Sequence, residues 1–274
     1  MKYRVFCAPT FFEVRDIKNP FMNPSRGIDR EVASLQWAGV RNAFCNSGDR
    51  NLTIDPVADL EDMVFVADTA LVSLDMDHPF VIPSAMKYPS RQREVRAVSE
   101  WFKQRGYELL DLKLDSDHLE GNGDVLWRPH RRELFAGFGI RSTAGGVTKL
   151  AALAGEMGIS LVALELAQPS FFHLDLCLSF VNADAAIAYR PAFTNSSWER
   201  LNHSVPRVYE ISREEAFRFV CNGVMCGDHF VTPFVGPILE RALHLEHVEP
   251  LVVDTSEFEK SGGSVACLHQ VIPF

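Results

Sequence analysis

The chain has 274 residues, 47% of them hydrophobic and 23% charged, and a net charge of -9 at pH 7. It can bury a sizeable core and is not disordered. The acidic balance argues against nucleic acid and an anionic membrane as main partners, and no apolar run of about 18 residues is present to cross a bilayer.

The start, Met1-Lys-Tyr-Arg-Val-Phe-Cys-Ala, is too short in apolar residues for a signal peptide and reads as a first strand over Tyr3–Cys7. Two Asn-Pro pairs make 12–24 a loop, either lining a polar pocket or a solvated connection. A helix is expected from Asp29, its N-cap, to Phe44, with Val32, Leu35, Gln36, Val40 and Phe44 on one face. The run 62–73 is apolar and strand-like with one carboxylate, Asp68, in its middle; buried there, it needs a partner.

A second helix is expected over 91–105, with Val95, Val98, Trp101 and Phe102 buried, followed by a strand at 107–112. Glu120-Gly-Asn-Gly-Asp124 reads as an acidic turn suited to a cation. Further on, a strand runs to Arg141, a helix spans 146–158 and a strand 161–166. The stretch 171–185 is read as a strand pair, in which His173 and Asp175 point the same way. Helices at 212–220 and 236–245 and strands at 227–232, 251–254 and 265–272 complete the pattern. Four residues separate Cys221 from Cys226, but no second ligand pair follows, so no metal site is expected. The other cysteines are scattered, and all six are expected as reduced thiols of a cytoplasmic protein.

No linker divides these strand–helix–strand units, which points to one closed, repeat-built α/β domain over 1–274. At its end a Ser261-Gly262-Gly263-Ser264 turn delivers Cys267. By itself this thiol is either a nucleophile or a small buried hydrophobe.

Six motifs carry a family resemblance: Asn19-Pro20, Phe65-Val-Ala-Asp68, Glu120-Gly-Asn-Gly-Asp124, Gly137-Phe-Gly-Ile-Arg141, His173-Leu-Asp175 and Gly262-Gly-Ser-Val-Ala-Cys267. In this order they resemble the guanidine-modifying pentein, or amidinotransferase, superfamily. The resemblance implies a five-bladed α/β propeller with pseudo-five-fold repeats and a central site. It further implies Cys267 as nucleophile and His173 as alternating acid and base. Asp68 and Glu120 would grip the guanidinium, Asp175 would orient His173 or contact substrate, and Arg141, or less directly Arg91, would meet the substrate carboxylate. Asn19 joins the substrate-binding set.

The implied partner is a small guanidino substrate, with no cofactor or metal required and room for a homo-oligomer. Dihydrolases of this superfamily carry asparagine where this chain has Asp68, so hydrolysis is expected to stop at citrulline. The alternatives are a dihydrolase giving ornithine, an amidinotransferase and a non-catalytic binding protein of the same fold.

Overall fold

The computed structural model describes residues 2–74 and 79–273. Fifteen strands among these residues form five three-stranded sheets, all of one pattern. In each, a central strand pairs antiparallel with an inner strand and parallel with an outer one, and a helix crosses from centre to outer edge. The parallel pairing demands such a crossover.

The first blade has β1 (Tyr3–Cys7) at its centre, α1 (Arg30–Asn46) as crossover and β2 (Arg50–Ile54) outside. The second comprises β3 (Ala70–Val72), β4 (Phe80–Pro83), α2 (Pro89–Lys103) and β5 (Glu108–Leu109). A one-turn helix, α3 (Gly121–Asp124), opens the third: β6 (Val125–Trp127), β7 (Glu133–Phe138), α4 (Ala144–Glu156) and β8 (Ser160–Glu165). The fourth holds β9 (Leu178–Phe180), β10 (Ala185–Ala188), α5 (Asn195–Ser204) and β11 (Arg207–Glu210). After α6 (Arg213–Phe217) the fifth follows: β12 (Val224–Cys226), β13 (His229–Thr232), α7 (Pro237–Leu245) and β14 (Glu249–Val252). Past α8 (Ser256–Glu259), β15 (His269–Ile272) returns to pair with β1 as the first blade's inner strand. This is the five-bladed α/β arrangement that the motifs imply.

Buried charge ties that return in place. Arg4, 1% exposed, donates from Nε to Asp49 Oδ2 at 2.7 Å and from Nη2 to Met225 O at 3.2 Å, with its guanidinium over the Phe44 ring. Its Nη1 meets His269 Nε2, so strands β1 and β15 share one polar network. Burial, reinforced by Arg4, drives the His269 pKa well below its ordinary value and keeps the ring a neutral acceptor.

Several expectations need correction. Asp29 caps α1, accepting from Glu31 N and Val32 N, but the buried face is Ala33, Gln36, Val40, Ala43 and Phe44. Val32 and Leu35 are 37% and 74% exposed, because their positions lie beside that stripe, not on it. Only Ala70–Val72 of the 62–73 run is strand; Asp68 sits in a 3-10 turn, Val66–Thr69. His173 and Asp175 are likewise not on a strand: Asp175 lies in the 3-10 turn Leu174–Leu176 and His173 precedes it. The acidic 120–124 turn is helical, and Arg141 lies beyond the end of β7. The fourth crossover helix is α5, not 212–220. Its sequence, Asn-Ser-Ser-Trp-Glu-Arg-Leu-Asn-His-Ser, has too few apolar positions to announce it.

One carboxylate fastens two helices. Glu215 Oε2 accepts from Ser212 N and Oγ, closing a capping box on α6, while Oε1 accepts from Ile238 N and Leu239 N at the start of α7, both at 2.9 Å. A negative charge at both N-termini also suits the helix dipoles. Glu215→Ala strands these buried donors and is expected to lower stability by about 3 kcal/mol, read as a lower urea midpoint with an unchanged m-value.

Candidate active site

Five short segments, each leading into an inner strand, converge on the propeller axis. They are Val66–Thr69, Gly121–Asp124, Leu174–Leu176, the 3-10 turn Val220–Asn222 and the 265–268 turn before β15. They contribute Asp68, Asp124, Asp175, Asn222 and Cys267, and all but Cys267 are polar groups that burial penalises unless paired.

Cys267, 3% exposed, contacts Asp175 Oδ2 through Sγ at 3.2 Å and receives Asn222 Nδ2 at 3.3 Å. Asn222 Nδ2 also donates to Asp175 Oδ2 at 2.9 Å. Its Oδ1 accepts from the backbone of Ser264 and Ala266 at 3.1 Å each, so one amide fixes both the thiol and the loop that carries it. Ligand atoms of Asp68, Asp175 and Cys267 lie within 4.8 Å of one another. Two carboxylates thus flank one thiol. Burial, then the charges of Asp175 and Asp68, push the Cys267 pKa well above its ordinary value. Asp175 is itself pushed up to about 7 by burial, against the pull of His173.

His173, 1% exposed, has Nε2 at 2.7 Å from Glu120 Oε2 and Nδ1 at 3.7 Å from Asp68 Oδ1. Burial alone would lower the imidazole pKa; Asp68, Asp124 and Glu120 outweigh it and hold it at about 9. Burial opposes ionisation of Glu120, but the His173 hydrogen bond and Arg141 keep its carboxyl well below the usual range. Both Glu120 oxygens are engaged, Oε1 by Lys87 N at 2.8 Å and Oε2 by His173 and Arg141. Asp124, which receives Ser142 N and Oγ and Leu174 N, anchors the backbone beside His173.

The two arginines are held differently. Arg91 spends its fork on Asp68, Glu94 and the carbonyls of Asp62 and Phe65. Arg141 donates to Glu120 and to Lys18 O, and lies between the Tyr88 and Phe172 rings. Asn19 bridges the two loops at the mouth, donating from Nδ2 to Ser261 O at 2.9 Å. Asn19, Asp68, Arg91, Arg141, His173 and Cys267 line one cavity of about 20 Å³, together with Lys18, Asp62 and Phe172, while Glu120, Asp124, Asp175 and Asn222 stand behind that lining. Asp68 Oδ1 and Asp175 Oδ1 accept no hydrogen bond among the described residues, whereas Asp62 is paired with Lys18, whose Nζ lies 3.0 Å from Oδ2. Unsatisfied buried acceptors of this kind fit a ligand rich in N–H donors.

Glycines make the closeness possible. A Cβ on Gly123 would stand 2.7 Å from Asp68 Oδ1 and 2.8 Å from His173 Nδ1. Gly262 takes φ +81°, where a side chain is strained, and a Cβ there would meet Asn19 at 2.9 Å.

Sequence reasoning gives Asp124 a part only in an acidic, cation-binding turn, whereas here it anchors the backbone beside His173, and it gives no role to Asn222, Asp62 or Lys18. The signal for Asn222 was its place: Phe219-Val-Cys-Asn222 precedes an inner strand as Val66-Ala-Asp68 and Leu174-Asp175 do.

Comparisons with known proteins fit this arrangement. A family model described as eukaryotic N,N dimethylarginine dimethylhydrolase matches residues 51–272. The N(G),N(G)-dimethylarginine dimethylaminohydrolase of Mycobacterium tuberculosis is 31% identical over 260 residues, covering 94% of this chain and 82% of that protein. A bifunctional arginine dihydrolase/ornithine cyclodeaminase of Synechocystis sp. is 28% identical over 96% of this chain and 37% of its own length. Among solved structures, the N-terminal domain of a cyanobacterial arginine dihydrolase bound to substrate superposes with a TM-score of 0.91 at 25% identity, covering 100% of this chain and 98% of that one. A dimethylarginine dimethylaminohydrolase adduct with S-methyl-L-thiocitrulline shares the fold, with a TM-score of 0.80 at 18% identity over 99% of each chain.

The charge arrangement around His173 is open to direct measurement. Its imidazole is expected to titrate by NMR near pH 9, and Glu120→Gln to lower that midpoint by about one unit or more. Because the folded pKa lies above the unfolded value, this group's stabilisation is complete below about pH 6.5 and is lost as pH rises through 9.

Proposed function

The chain belongs to the N,N-dimethylarginine dimethylhydrolase family, and from that premise we propose a cysteine hydrolase that cleaves a guanidino C–N bond of arginine or an Nω-methylated arginine. Its products are citrulline and ammonia or a methylamine, formed in a single catalytic domain over 1–274. One observation carries this reading: the Cys267 thiol sits between Asp68 and Asp175, carboxylates with unsatisfied oxygens, in the site that holds a protonated His173.

Such a thiol resists ionisation until a cation arrives. A guanidinium lodged against Asp68 and Asp175 cancels the carboxylate field and lowers the thiol pKa, so the substrate activates its own nucleophile. The thiolate then attacks the guanidinium carbon. His173, held by Glu120, passes its proton to the departing amine, which leaves a thiouronium on Sγ. Neutral His173 next takes a proton from water, whose oxygen adds to the same carbon; collapse expels the thiolate and forms the ureido group. Glu120 serves here as the holder of His173 and Arg141, since its oxygens are already taken, while Asp175 joins Asp68 in gripping substrate. Arg141, with fewer protein partners than Arg91, is the better carboxylate anchor, with Asn19 shaping the mouth. Six free thiols support a reducing, cytoplasmic setting, and among the described residues no helix is long and apolar enough to cross a membrane.

The purified protein is expected to convert arginine or a methylated arginine to citrulline, with no turnover by Cys267→Ser; ornithine as product would make it a dihydrolase despite Asp68. The pH profile of kcat/KM is expected to fall below about 7, as Asp175 takes up a proton, and above about 9, as His173 loses one. A profile flat across either limb would remove that group from the mechanism.

A further inference from the structure

The reaction proposed above poses a transport problem. An amine is released at the floor of the site, and water must reach the same carbon while the rest of the substrate is still bonded to Cys267. The cavity, at about 20 Å³, has room for about one water. Its lining includes Lys18, Asn19 and Met22 together with Ser261–Gly263, and in the proposed reaction the rest of the bound substrate occupies its own way in.

A second cavity, of about 180 Å³, lies against the same five segments. Its wall includes Ala67, Asn122, Cys221 and Ala266, the chain neighbours of Asp68, Gly123, Asn222 and Cys267. Of these, Asp68 and Cys267 line the first cavity, so at Ala67–Asp68 and Ala266–Cys267 the two linings are one chain step apart. Asp175 links them: Oδ2 contacts Cys267 Sγ, the residue lines the second cavity, and Oδ1 accepts no hydrogen bond among the described residues. At its other end this cavity is walled by half-buried Leu126, Trp127, Val224 and Met225 and by exposed Lys2, which open it to solvent.

We propose that this second cavity is the exchange chamber of the reaction, through which the leaving amine departs past Asp175 and the hydrolytic water arrives. The balance is that of the two half-reactions. The C–N bond breaks with its electron pair on the amine, which carries away the proton from His173. Water crosses in the other direction, gives its oxygen to the carbon and returns a proton to His173. The amine so released is neutral, and the unpartnered Oδ1 of Asp175 at the crossing can accept its N–H. The ligand of the chamber is thus ammonia or a small amine exchanging with water. The proposal rests on the guanidine-hydrolase reading.

The test fills the chamber from its outer end, away from Cys267, His173 and the carboxylates, with Leu126→Trp and, independently, Val224→Trp. Arginine and its monomethyl and dimethyl forms are compared by steady-state kinetics, rapid quench and the mass of the Cys267 adduct. In the filled variants kcat is expected to fall about tenfold with KM lowered in step and kcat/KM nearly unchanged, as for an enzyme limited after adduct formation. The loss should grow from ammonia to dimethylamine as leaving group, and the thiouronium adduct should accumulate. Leu126→Ala should retain the wild-type kcat. Two results overturn the proposal: wild-type kcat in both filled variants at an unchanged melting temperature, or a loss equal for all leaving groups without adduct. Wild-type protein that turns over no guanidine would defeat the functional reading itself, and this inference with it, before any variant is made.

Discussion

The pairing of β15 with β1 is the constraint on which the site depends. Four of the five inner strands precede their central strand in the chain; the fifth comes from the opposite end and joins in the register Tyr3↔Ile272 to Phe6↔His269. This pairing carries the 265–268 turn to the axis, where Asn222 takes hold of it through three backbone amides. The Arg4–Asp49–His269 network lies directly beneath. A protonated His269 would face the Arg4 guanidinium across a buried contact, and its strongly lowered pKa removes that conflict.

The second organising fact is electrostatic. Asp68, Glu120, Asp124 and Asp175 are each at most 4% exposed and crowd one imidazole. Isolated, these carboxylates would protonate; burial does push Asp124 up to about 6 and Asp175 to about 7. Glu120 escapes because it has two cationic partners, His173 and Arg141. Among them Glu120 is firmly ionised while Asp124 and Asp175 titrate near neutrality, all beside one imidazolium. A charged substrate enters a field already arranged for it, so little reorganisation is needed when bonds change.

Much of this was legible in the chain. The glycine-flanked cysteine, the acidic Glu120–Asp124 motif and His173-Leu-Asp175 stood out because chemistry of this kind is unusual in apolar surroundings. The local geometry was not legible for the same reason. The short helical turns Val66–Thr69 and Leu174–Leu176 set a carboxylate among apolar or β-branched neighbours, and over three or four residues that pattern matches a strand. Leu35 looked buried on periodicity but lies on the outer side of α1, since a stripe one residue away packs better against α8 and β2. Partnerships were out of reach. Nothing in the local sequence of Asn222 says that it will hold Cys267, 45 residues onward, because that contact exists only once the ring of blades has closed.

Each blade hands the axis one short turn, and those turns are separate in sequence yet adjacent in space. A change at Asp68 alters one wall of the site and leaves the strand pairings of the other four blades untouched. Chemistry on this scaffold is therefore adjustable by substitutions in five turns that come from separate blades, even though their side chains touch at the axis. Proteins with the same blades can diverge in leaving group, acceptor or extent of hydrolysis without repaying the work of building a new fold.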